Sequence, residues 1–129
     1  MTPVMQTRFG DPDGNCLQAA IASILDLALD AVPSFGDLGD EWGGHFDRFL
    51  ADFGIQAANI AAPPGNGDWV PAGYHLIGGR THRGILHSVV GYRGKMIHDP
   101  HPGGAGLVSE DSWMIFVAML DGVKIDASG

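Results

Sequence analysis

The chain holds one cysteine and six histidines. Cys16 stands in the stretch "DPDGNCLQAAIASILDL", one residue after Asn15 and directly ahead of an apolar helical pattern. A thiol at a helix N-terminus is poised to react, because the first turn offers unpaired N–H groups and the positive end of the helix dipole, which favour the thiolate. The same N–H groups can hold the oxyanion formed when a thiolate attacks a carbonyl. The competing reading is packing, since free cysteines are among the most buried side chains. Finding a base decides between the two.

His45 in a predicted helix, His75 at a predicted strand start and His82 in the "GGRTHRG" loop read as surface or packing residues. His87 falls instead inside "ILHSVVGY", where alternation sets His87, Val89 and Gly91 on one sheet face and Leu86, Ser88 and Val90 on the other. A polar ring in such a strand needs partners. Twelve residues on comes Asp99, in "MIHDPHP". A tight turn at Arg93-Gly94 pairs the two runs antiparallel and sets Asp99 opposite Ser88, one position from His87. A carboxylate beside an imidazole fixes its tautomer and supports the imidazolium. Cys16, His87 and Asp99 therefore read as nucleophile, base and orienting carboxylate of a thiol-based triad.

Elements must hold these residues. From Asn15 to about Leu29 the apolar residues recur at helical spacing around most of the circumference, which predicts a helix packed inside other elements. Asp13 or Asn15 can cap its start. A second helix is expected over about Asp40 to Asp52, carrying Trp42, Phe46, Phe49 and Leu50. Short β-type runs follow at 54–62, 74–79, 84–92, 94–100 and 112–120, bounded by Gly, Pro and Asp. Helices first and strands afterwards predict an α+β fold, a single domain over 1–129 in which the N-terminal helix carrying Cys16 packs on a C-terminal antiparallel sheet.

Composition narrows the partners. Seven Lys and Arg against fifteen Asp and Glu give a net charge of −8, and the basic residues are scattered, which argues against nucleic acid. The acidic surface suits a basic substrate as an electrostatic tendency. A lone cysteine makes no intramolecular disulfide, so a reducing compartment is expected. The N-terminal stretch lacks a charged region followed by an apolar run, so no signal peptide is expected. The longest apolar run, "MIFVAML", has seven residues, far short of the roughly 20 needed to span a bilayer. The expectation is a cytoplasmic protein without membrane partners.

"GNCLQAAIASIL", followed some seventy residues later by "HSVVGYRGKMIHDP", resembles the papain-like cysteine peptidase superfamily, and in particular its compact bacterial branch containing the double-glycine leader peptidases of bacteriocin exporters. The resemblance implies a papain-like fold, a peptide or small amide substrate, and no cofactor or metal. It also implies an oxyanion-hole glutamine upstream of the cysteine; the matching residue is Gln6, ten residues before Cys16. Asn15 reads either as a helix cap or as a second oxyanion donor. Trp42 and Trp69, in glycine-rich loops, read either as packing residues at the edge of the core or as walls of a substrate cleft, and His101, after Asp99, reads as a loop residue that could border the cleft.

Other chemistries stay open at this level. "HDPHP" sets His98, Asp99 and His101 within four residues, with His87 or His82 as a further ligand, which is the donor type of a metal site. Strand alternation counts against it, since His98 should point away from Asp99. A non-catalytic papain-like binding module would keep the fold alone. Hydrolysis, acyl transfer and deamidation share one acyl-enzyme and are not separated by the triad.

Overall fold

Helical periodicity gives way to alternation near residue 54, and the computed structural model, which describes residues 1–10, 13–61 and 69–119, changes element type there. Two α-helices, α1 (Cys16–Ile24) and α2 (Trp42–Ala51), precede five strands: β1 (Ile55–Ala61), β2 (Tyr74–Arg80), β3 (Leu86–Tyr92), β4 (Lys95–His98) and β5 (Ser109–Ala118). Short 3₁₀ turns at Leu29–Ala31 and Phe35–Glu41 join the helices. The strands form one sheet in the order β1-β5-β2-β3-β4, with every neighbouring pair antiparallel. The fold class is α+β. Ala62 and Leu120, at the ends of two expected strands, lie outside the described residues.

Register sorts the side chains into two layers. Leu76 lies opposite both Val90 and Met114, and this row packs with Ala20, Ile21, Phe35, Phe46 and Leu50 of the helical layer. Ile77 lies opposite Val89 and Trp113, and that row forms a smaller cluster on the other face. The five consecutive residues Ala19 to Ser23 of α1 are all buried, and their apolar surface contributes about 25 cal/mol per Å² removed from water.

α1 is shorter than its apolar run predicted. It ends at Ile24 because Asp26 turns into the left-handed region (φ 56°) and the Leu27 N–H reaches back to the Ala22 carbonyl. Aspartate is among the few non-glycine residues that accept this conformation at modest cost. Leu25 and Leu27 still pack on the core, so their hydrophobicity reflects burial rather than helix. The reversed chain is held by Gln18, whose Nε2 donates to the carbonyls of Leu29 and Val32.

The residues before α1 form an extended strap along it. Thr2 N–H donates to the Ser23 carbonyl, Val4 N–H to Ser23 Oγ, and Asn15 N–H to the Arg8 carbonyl. The strap's other side bonds the β4 edge: His98 Nε2 donates to the Val4 carbonyl and Gln6 N–H to the Pro100 carbonyl. Among the described residues no single helix is long and apolar enough to cross a membrane.

Candidate active site

The β3–β4 hairpin sets the geometry. Arg93 (φ 53°) and Gly94 (φ 84°) make a two-residue turn with both residues left-handed, the form that matches strand twist. Tyr92 then pairs with Lys95 and Gly91 with Met96, but a bulge moves the next pair to Val90 and His98. This one-residue slip corrects the predicted register, in which Asp99 faced Ser88. Since neighbours in a strand point to opposite faces, the slip turns Asp99 to the side of Val89 and His87. His98, one residue earlier, points to the opposite side and reaches Val4.

β4 stops at His98, so the first half of β3 has no ladder partner on that side. α1 fills the gap with its N-terminus. The Cys16 sulfur comes against the His87 ring and the backbone N–H groups of Ser88 and Leu17, all of which favour its thiolate. His87 Nε2 is held by Asp99 Oδ1 at 2.7 Å, which leaves Nδ1 as the nitrogen for the thiol. His87 and Asp99 are both buried, and Asp99 is fully engaged: Oδ1 also accepts the His101 N–H, and Oδ2 the Gly106 N–H.

These contacts settle the protonation directions. Burial alone would push the Cys16 thiol up, but the His87 hydrogen bond and charge, with the two backbone N–H groups, outweigh it and hold the thiol below its ordinary value. Burial pushes His87 down, and its bonds to Cys16 and Asp99 outweigh that and raise it. Asp99 is likewise favoured upward by burial, yet its bonds to His87 and to two backbone N–H groups hold it low. Each group is displaced toward its charged form, so the arrangement favours a thiolate beside an imidazolium backed by a carboxylate.

Asn15 is the residue before α1 but makes no side-chain cap. Its Oδ1 accepts the N–H groups of Thr7 and Arg8, and its Nδ2 donates to Thr7 Oγ1 and Gln18 Oε1. One amide hydrogen is therefore spent on the strap and the other on Gln18 of α1, so neither predicted role, cap or oxyanion donor, fits its contacts. Gln6 is buried; its Nε2 donates to the Arg8 carbonyl, leaving one hydrogen, and its Oε1 has no partner.

Trp42 and Cys16 line one pocket of about 170 Å³, with Phe35, Ser34 and Gly36. Trp69 does not border it: this ring lies against Trp113, 6.4 Å between centroids, and lines another cavity beside Ile24 and Leu25 at the far end of α1. His101 does stand at the site, its ring 6.4 Å from that of His87 and edge-on to Phe9 at 5.2 Å. His98, Asp99 and His101 diverge, and among the described residues no three His, Cys, Asp or Glu side chains converge as a metal would require.

Sequence reading passed over Ser88, whose contribution is a backbone N–H and carries no residue signature. It also passed over Arg83, in the same turn as His82, whose guanidinium sits against His101. Compared with known proteins, the chain matches no family model, no curated protein and no solved structure.

Proposed function

We propose that the protein is a cysteine hydrolase of papain-like design, acting on a peptide or small amide bond. The observation that carries this reading is the setting of His87, held by Asp99 through Nε2 at 2.7 Å and placed beside the Cys16 thiol. In the proposed reaction His87 Nδ1 holds the thiol proton, the thiolate attacks the carbonyl carbon, and the leaving amine takes the proton as the tetrahedral intermediate collapses. Water, with His87 again as base, then releases the acid. The developing oxyanion would be met by N–H groups of the first turn of α1 and by the remaining Nε2 hydrogen of Gln6. The pocket beside Trp42 would take the side chain next to the scissile bond.

The test is covalent labelling with electrophilic peptide and amide probes, followed by mass spectrometry and by product analysis on matched amides. Labelling confined to Cys16 and lost in Cys16→Ala is expected. Wild-type protein left unlabelled by probes that modify free cysteine would overturn the reading.

A further inference from the structure

The turn joining β2 to β3 brings an unneutralised cation to the rim of the site. Arg83 takes part in none of the ion pairs among the described residues, which join Met1 to Asp26, Arg8 to Asp37 and His87 to Asp99. Asp99 does not pair with it; its hydrogen bonds go to His87, His101 and Gly106. Arg83 Nη2 lies instead 3.3 Å from His101 Nε2. On the other edge of that ring, Nδ1 accepts the Gly103 N–H at 2.9 Å. A neutral imidazole has one accepting nitrogen, and Gly103 claims it, so Nε2 carries the hydrogen. Two donors thus face each other with no acceptor between them.

An oxygen anion resolves that opposition, since it accepts from both. The space is there: Arg83, His101, His87, Thr81 and Asp99 line one pocket of about 90 Å³, small enough for a single compact group, and the Asp99 carboxylate in its wall is hydrogen-bonded to His87 and to the N–H groups of His101 and Gly106. The guanidinium supplies the planar fork that suits a carboxylate. We propose that Arg83 and His101 form a carboxylate seat beside the reacting pair, so that the substrate carries a carboxylate near the bond attacked. This rests on the reading of Cys16 and His87 given above. It also refines what the net charge of −8 suggests, because the long-range field favours basic ligands while this rim favours an acidic group.

Two experiments separate the seat from the chemistry. In Cys16→Ala, acetate titrated at constant ionic strength should shift the His101 ring resonances saturably, acetamide should not, and Arg83→Gln should abolish the shift. An equal response to acetamide, or an acetate response that survives in Arg83→Gln, overturns the seat. In protein retaining Cys16, bromoacetyl-glycine and bromoacetyl-aspartate α-amide are each compared with the matching carboxamide; the thiolate displaces bromide and forms a thioether. The acid-to-amide rate ratio should exceed that of free cysteine by about three- to tenfold and fall to it in Arg83→Gln. The pair with the larger ratio identifies a C-terminal or a side-chain carboxylate. A wild-type ratio equal to that of free cysteine overturns the seat. If acetate binds as expected but neither carboxamide alkylates Cys16, the hydrolase reading falls and the seat stands.

Discussion

At the scale of the residue, one imidazole with two engaged nitrogens governs the site. The thiol is held low chiefly by His87, so iodoacetamide alkylation of Cys16 followed against pH should titrate below the free-thiol value of about 8.5, and His87→Ala should move the midpoint upward. Asp99 acts through His87 and should matter almost as much to rate. Asp99→Asn is expected to lower the rate of amide hydrolysis by about 10² to 10⁴, measured as kcat, with little change in KM. The same substitution has a stability signature. Asp99 titrates low and His87 high in the fold, so their pair contributes fully between the ordinary carboxylate value, about 3.9, and the ordinary imidazole value, about 6.5. It fades below that window as Asp99 protonates and above it as His87 loses its proton. Melting temperatures of wild type and Asp99→Asn, compared from about pH 3 to 9, should differ most inside the window. A difference of about 2–4 kcal/mol is expected there, since removing one partner of a buried pair strands the other.

At the scale of the element, the hairpin matters more than its length suggests. His75, fully buried on β2, lies over Gly91, where a Cβ would come within 2.5 Å of its ring. Its Nε2 accepts the N–H of Gly94 and so pins the turn. The turn and the bulge after it decide which way Asp99 points, which makes His75 a positioning residue at a distance from the chemistry. His75→Leu should cost about 1–3 kcal/mol, because the half-buried Gly94 N–H loses its acceptor, and should lower kcat while Cys16 and His87 remain intact. Burial holds His75 below its ordinary value, so the unfolded chain takes up its proton first as pH falls below about 6.5. Stability therefore declines with acid through this group, and urea unfolding of His75→Leu should show a shallower decline.

At the scale of the whole molecule, the strap of residues 2–8 ties the helix that begins at Cys16 to the hairpin that carries His87 and leads to Asp99. It bonds Ser23 and Asn15 of the α1 side, and on the β4 side it accepts from His98 and donates to the Pro100 carbonyl. Ser23→Ala removes the acceptor for the Val4 N–H and the donor to the Ala19 carbonyl, and should destabilise by about 1–3 kcal/mol with faster hydrogen exchange at Val4. Much of this was legible in the chain. Apolar period distinguished the helices from the strands, the two-residue turn named its own hairpin, and the types of Cys16, His87 and Asp99 named a chemistry, because each of these depends on neighbours close in sequence. Where α1 ends was not legible, since hydrophobicity records packing and the partly buried Leu25 and Leu27 lie against the core outside the helix. Nor could sequence tell Trp42, beside the thiol, from Trp69, at the other end of α1, or show Arg83 turned onto His101. The bulge that brings Asp99 to His87, and the gap beside β3 that admits Cys16, come from contacts between residues far apart in the chain. Periodicity determined the elements and residue type the chemistry they could carry; only the packing of helix, strap and sheet decided which side chains meet.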